Sequence, residues 1–570
     1  MDRNLVLAII LSIAIILGFQ LFFQHFSPPP KKVPITTEST KQPASGPSAP
    51  ALTEKPEKVP PSTSAVAPKP PSTALAPAAG AVPAKEAYVK VDSLKYEAVL
   101  SSNGGKIISF KLKNYTKSLN KPGLVNLFSP EGPDTAGPSV MFTRRNETFN
   151  DASLAFALDS PTKSITLDKP GEKKSITFRA TTATGLTIEK TYTFRADDYD
   201  VGFSLTLTNT SGEAKNYLLT FPWRKTYTGE HGRFTWNSVE ILLDGQLKDY
   251  YFSKIQGDEE PSGQVHWVGL GDVYFFKALV FGKSPASRVT LFKPSKEGFA
   301  EVWVRYGAVD LPPGQPVQTD LSVYLGPKKE RALQAAGHDL SRALYYSNYK
   351  ILDIVSKYLI SFLRFCNSGF TVAGIRIPGT HNYGWDIILM TVLIKILFIP
   401  LTHKSMKSMK RMQDIQPQIA KIKEKYKDDK AAINKATMEL FREQKVNPVG
   451  GCWPMFLQLP VFVALYQVLS YAIELRHAPF LCVPSIYLCI NDLSAPDPYY
   501  VTPILMGGTM VLQQWLTPSG GDPTQKKMML MMPVVFTYLF LSFPSGLVLY
   551  WLVSNLLSIG QQLITNKMAA

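Results

Sequence analysis

The sequence predicts a polytopic α-helical membrane protein of six transmembrane helices carrying a large extracytoplasmic antiparallel β-sandwich domain. Three observations lead there. The 570 residues are 45% hydrophobic, an average over apolar runs able to cross about 30 Å of hydrocarbon and a polar remainder. After the first run, about 240 residues alternate with period two between turn residues, the pattern of strand hairpins in series. Finally, Lys and Arg crowd the stretch after Leu401, which by the positive-inside rule lies in the cytoplasm and leaves the β-rich segment outside.

The formal charge of +16 therefore reads as topological. Basic residues gather in the linker and after Leu401, not on one aromatic-bearing surface, so no nucleic acid is expected as a partner. The four cysteines show no CxxC and no zinc-like spacing with histidines, so neither a metal nor a cofactor is expected. With no Gly-rich phosphate loop and no HExxH either, the chain reads as not an enzyme.

Taken in order, residues 1–26 form an N-terminal transmembrane anchor. Its apolar run, 4–23, is longer than a signal peptide's core, and no small-x-small cleavage site follows. Residues 27–85 collapse to Pro, Ala, Lys, Ser and Thr, too poor in aliphatics to bury a core, and read as a disordered spacer. Residues 86–330 are the sandwich, with YVKVDSLKYEAVL, KIISFKL and LTIEKTYTFRADDYDVGFSLTLTNTSG as its hairpin segments. The pair Glu230 and His231 reads as a surface pair, since histidines are too sparse there for a catalytic set. Residues 350–366 place Ile351, Ile354, Val355, Tyr358, Leu359 and Phe362 opposite Asp353, Ser356, Lys357, Ser361 and Arg364, an amphipathic helix expected in the bilayer interface. Residues 382–566 form a five-helix core, with spans at 382–401, 447–475, 501–516, 528–543 and 547–564. Inside it, 404–445 reads as a cytoplasmic helical hairpin turning near 427–430.

A positive charge sits deep inside an apolar span: Lys395, in NYGWDIILMTVLIKILFIPL. A charge at membrane depth costs about 2.5–3.5 kcal/mol on insertion scales, so such residues face a wet cavity, a partner or, by snorkelling, the interface. Thr391 and Thr402 share its helix face, and a polar stripe favours the cavity. Gln458 and, from the last span, Ser554, Asn555, Ser558 and Gln562 are expected to line it, although ordinary interhelical hydrogen bonding would use the same residues. A transporter or channel with a solute site at Lys395 is the competing reading. It requires inverted repeats, and the sequence carries no internal symmetry.

Residues 382–562 closely resemble the YidC membrane-protein insertase family in KVNPVGGCWPMFLQLPVFVALYQVL, ELRHAPF, DLSAPDPYYVTPILMG and FPSGLVLYWLVSNLLSIGQQ as well as in the Lys395 span. The anchor and β domain resemble its Gram-negative branch, whose sandwich is similar to galactose mutarotases. The resemblance implies an insertase and folding chaperone of the bacterial inner membrane, with both termini cytoplasmic and the large domain periplasmic. Its groove, open to cytoplasm and lipid, would receive nascent membrane proteins, either alone or with the Sec translocon and its accessory subunits. The ribosome or signal-recognition pathway would meet its cytoplasmic side. The family's intramembrane cation is usually arginine, where this chain has Lys395; the charge survives and the bidentate fork is lost. Thr391 matches a substrate-contacting threonine, and Tyr550 and Trp551 stand where the family often has two tyrosines. Between APF and DLS the family is usually short, whereas here LCVPSIYLCIN intervenes with Cys482 and Cys489 at its two ends. In a loop outside the cytoplasm these two are expected to form a disulfide.

Overall fold

The structure is a computed structural model that describes residues 86–569 apart from 120–122, 129–136, 146, 160–162, 227–236, 253, 283–284, 293–298, 348, 373–374, 427–428, 445, 447–452, 484–487 and 517–522. The expected anchor, the linker and the Glu230/His231 pair lie outside the described residues.

Alternation builds the sandwich. Strand Leu186–Arg195 buries every second side chain, pairing antiparallel with Lys173–Thr181 and Asp200–Asn209. A five-stranded sheet and a fourteen-stranded sheet result, and their inner faces share one apolar core. Tyr96 of the smaller sheet illustrates the contact: its ring lies 6.3 Å from that of Phe194 and its hydroxyl donates to the Arg195 carbonyl oxygen. One pairing departs from the expected antiparallel order, since Tyr88–Ser93 runs parallel to Ser164–Leu167. The partner returns to this edge after a long excursion, and such distant adjacency leaves no trace in local periodicity.

A charged layer lies under one end of the sandwich. Glu240, on strand Ser238–Leu243, pairs with Lys328, and Asp249 lies close by on strand Gln246–Tyr251. Burial first, and then the Glu240 charge, pushes the Asp249 carboxyl up to about 7. An unfolded aspartate titrates near about 3.9, so between about pH 4 and 7 the native chain keeps a proton the unfolded chain has lost. Stability then falls as pH rises through that window. Thermal unfolding from pH 5 to 8 should cost the wild type about 2–3 kcal/mol through this group, and Asp249→Asn should flatten that decline; an unchanged slope would exclude the assignment.

Beyond the sandwich come nine α-helices among the described residues: α1 (Glu330–Ala336), α2 (Lys350–Ser368), α3 (Tyr383–Asp414), α4 (Gln416–Lys425), α5 (Lys430–Glu443), α6 (Trp453–Tyr471), α7 (Val501–Leu516), α8 (Pro523–Phe540) and α9 (Ser545–Ala569). Two of these, over Tyr383–Asp414 and Ser545–Ile564, are long and apolar enough to cross a membrane, while Phe456–Tyr471 and Leu530–Phe540 are shorter apolar stretches. The helix carrying Lys395 does not end at Leu401, as the apolar run suggested. It continues to Asp414, because Lys, Ser and Met are acceptable helix formers and apolarity does not set helix length. It stops where Pro417 starts α4 in the first helical positions. The turn into α5 is set by Asp429, whose carboxylate accepts from Ala431 N and Ala432 N.

The amphipathic helix α2 buries Ser356 together with Ile360 and Leu363. Ser356 is buried and its hydroxyl donates to the Ala464 carbonyl oxygen on α6 at 3.3 Å, while Arg364 is engaged by carboxylates. Ile351 and Tyr358 are each 75% exposed, with Ile354 and Phe365 also outward. Ser356 and Arg364 face protein because protein there supplies partners, beside the buried Ile360 and Leu363, while Lys357 and Ser361 stay exposed along with the outward apolar residues.

Strands Phe480–Val483 and Leu488–Ile490 form a small hairpin in which Cys482 and Cys489 are joined. Closing a loop of separation 7 contributes about 2–3 kcal/mol on the chain-entropy estimate. Mass spectrometry after thiol blocking and without reduction should recover the two cysteines in linked peptides; finding both alkylated would refute the pairing.

Candidate functional site

The site grows from the start of α3. Asn382 caps it, its side-chain oxygen accepting from Gly384 N at 2.9 Å and Trp385 N at 3.4 Å. The next turn carries Asp386, fully buried and held by Thr380 Oγ1 and by Asn367 Nδ2 at 2.9 Å. Phe480 of the disulfide-linked hairpin lies over Gly384, where a Cβ would stand 2.0 Å from its ring. It also meets Trp385 edge-on. These contacts close one end of the bundle.

Lys395 lies about 18 Å further along α3, in the seam with α9. Its ammonium donates to Ser558 Oγ at 2.6 Å, and that hydroxyl donates to the Ser554 carbonyl oxygen at 2.8 Å. Two turns on, Gln561 Nε2 donates to Thr402 Oγ1 at 2.9 Å. The seam therefore holds Lys395, Thr402, Ser554, Ser558 and Gln561, bordered on α3 by the exposed side chains of Leu393, Ile396 and Leu397. A charge with a hydroxyl partner, flanked by outward apolar groups, makes an acceptor-seeking spot at the rim of an apolar surface.

The other expected lining residues separate onto other seams. Asn555 Nδ2 donates to Thr509 Oγ1 at 3.2 Å and Gln562 Nε2 to the Leu516 carbonyl oxygen at 2.7 Å, both on the α7 side of α9. Gln458 Nε2 donates to the Tyr550 hydroxyl at 3.3 Å in the seam with α6. Trp551 packs among Phe462, Phe536 and Phe540, an aromatic cluster with ring centroids 5.1–6.2 Å away. Thr391 is buried and its hydroxyl donates to the Ile387 carbonyl oxygen at 2.7 Å. Gln561 is not among the expected lining residues, yet it follows Ser558 by three residues and shares its face. Thr509 carried no such signal, being one of two threonines in an apolar helix.

With this geometry in place, comparison with known proteins is direct. The family described as 60Kd inner membrane protein matches residues 376–570, and the YidC periplasmic domain family matches residues 88–361. The membrane protein insertase YidC of Syntrophus aciditrophicus (strain SB) is 38% identical over 575 residues, covering 100% of both chains. The chain belongs to the YidC membrane protein insertase family. A second YidC, from Geobacter metallireducens, is 38% identical across 100% of this chain and 99% of its own. An active YidC insertase crystal structure with the first transmembrane domain resolved shares 20% identity, covering 85% of this chain and 93% of that one with a TM-score of 0.36. Both halves of this chain thus match YidC regions, the sandwich the periplasmic domain and the helices the inner-membrane part.

Proposed function

We propose that the chain inserts nascent membrane proteins into the bacterial inner membrane along the α3/α9 seam, with Lys395 receiving an acidic or polar client segment while the apolar segment passes into lipid. The observation that carries this reading is the Lys395 ammonium resting on Ser558 Oγ at 2.6 Å. A hydrogen bond of this charged kind is worth about 1.5–3 kcal/mol net. A client carboxylate about 4 Å away, at the effective dielectric of a protein surface, attracts by about 4 kcal/mol. The hydroxyl is therefore a placeholder that an acidic segment displaces. Thr391, Gln458, Tyr550, Trp551, Ser554, Asn555 and Gln562 contribute as the polar and aromatic interior of the same bundle. The closure around Asp386 and Phe480 marks the outer end, leaving the groove open to cytoplasm and lipid.

In this reading the chain has six spans with both termini cytoplasmic, the sandwich at 86–330 is periplasmic, 350–366 lies at the outer interface and 404–445 is the cytoplasmic hairpin. The Sec translocon with its accessory subunits, and the ribosome or signal-recognition pathway, are its partners. Helix α7, with 16 residues, reaches only about 24 Å, so the bilayer thins beside it and the polar segment has less to cross. A photoreactive residue at position 558 should crosslink to a stalled nascent membrane protein, whereas one at Tyr538, which is 76% exposed on α8, should favour lipid. Equal labelling from the two positions would refute the placement of the groove.

A further inference from the structure

Lys395 lies 11 residues after Gly384, about 16 Å along α3. Water that reaches the Lys395 seam from the cytoplasm has to be stopped within that length. The layer that fills it is apolar: Ile387, Met390, Leu493 and Leu547 are all buried, in one packed cluster with Phe480. Phe480 caps the layer, and it comes from the hairpin between α6 and α7, not from a helix. Its ring lies so close over the buried Gly384 that a Cβ there would stand 2.0 Å away, and Trp385 meets it edge-on with ring centroids 5.9 Å apart.

The chain on either side of Phe480 is tied to both walls of the seam. Asn382 Nδ2, at the start of α3, donates to the Pro479 carbonyl oxygen at 3.4 Å. Leu493 N donates to the Ala478 carbonyl oxygen at 3.2 Å, and Gly546 N, at the start of α9, donates to the Leu493 carbonyl oxygen at 2.9 Å. At Phe480 itself the hold is thinner. The hairpin pairs Phe480 with Ile490 and Val483 with Leu488, and its register breaks between those two pairs. Leu481, inside the break, stands at φ +47°, a left-handed conformation that costs a leucine free energy and persists only where its surroundings enforce it. The Cys482–Cys489 crosslink spans the same break.

We propose that Phe480 is the outer seal of the groove and that Cys482 and Cys489 are positioning residues, whose crosslink fixes the strained turn beside it. The role rests on the reading of a seam at Lys395 that is wet from the cytoplasm. Without the crosslink, Leu481 relaxes to an ordinary backbone angle more often. The Phe480 ring then lifts off Gly384 and the seam joins the water outside.

The test uses the full chain in right-side-out and inverted inner-membrane vesicles. It carries Cys366→Ser, Cys452→Ser and Ser558→Cys, so that one free thiol stands beside Lys395, and the probe is an anionic, membrane-impermeant methanethiosulfonate. Labelling through the cytoplasmic face should be at least about tenfold faster than through the outer face, because the outer rate measures how often the seal opens. Phe480→Ala should raise the outer rate about tenfold or more at an unchanged inner rate, whereas Phe480→Leu should keep the barrier. Cys482→Ser together with Cys489→Ser should raise the outer rate about threefold or more, again with the inner rate unchanged. An outer rate that stays low in Phe480→Ala would overturn the seal, and one that stays low without the crosslink would overturn its positioning role. Inner and outer rates rising together would mean a loosened bundle, not an opened seal, and would overturn the proposal as well. Slow labelling of the Phe480 chain from both faces would instead refute the wet seam, and the seal falls with it.

Discussion

Lys395→Glu should reduce insertion of clients with acidic outer segments at least about tenfold, because the substitution turns short-range attraction into repulsion at the same place. Protease protection of labelled clients in inverted vesicles reads this directly. Lys395→Arg should stay within about threefold of wild type, since charge is kept and only the donor geometry changes. Lys395→Ala should fall between, because Ser554, Ser558, Thr402 and Gln561 still line the seam. A client with a basic segment should respond in the opposite sense and enter the Glu variant more readily. Acidic clients inserting at the wild-type rate through Lys395→Glu would remove the charge from the mechanism.

The second large effect lies far from the groove. Lys190 and Asp151 are both 0% exposed and paired at 2.8 Å in the sandwich core. The lysine also donates to the carbonyl oxygens of Gly104 and Pro138, and the aspartate accepts from Val140 N at 2.8 Å. Burial pushes the Asp151 carboxyl up and the Lys190 ammonium down, while the pairing opposes both. Lys190→Met should therefore cost about 3–5 kcal/mol, as removing one partner leaves an uncompensated buried charge. In a domain of this size that corresponds to a thermal midpoint lowered by roughly 10 °C. Adding Asp151→Asn should recover part of the loss, since it removes the stranded charge. Additive losses in the double variant would mean the two residues act independently.

The Lys190 pair also shows how far the sequence reaches. In LTIEKTYTFR, alternation puts Lys190 in line with Leu186, Ile188, Tyr192 and Phe194, and the structure buries all five. That a charge faces inward was therefore legible. Its partner was not, because Asp151 sits on a separate short helical turn that only the closed sandwich brings beneath the strand.

The groove divides in the same way. The sequence by itself determined where apolar helices occur, that Lys395 interrupts one, and that the last helix carries serines, an asparagine and glutamines at helical spacing, since all of these follow from local periodicity and residue type. It also determined family membership, through extended motifs within residues 382–562. Only the tertiary structure decided that Ser558 and Gln561 meet α3 while Asn555 and Gln562 meet α7. It likewise decided that α2 turns Ser356 and Arg364 inward. The physical reason is that a helix's period says which residues share a face, whereas the face that meets a given neighbour is set by side-chain packing between helices distant in sequence.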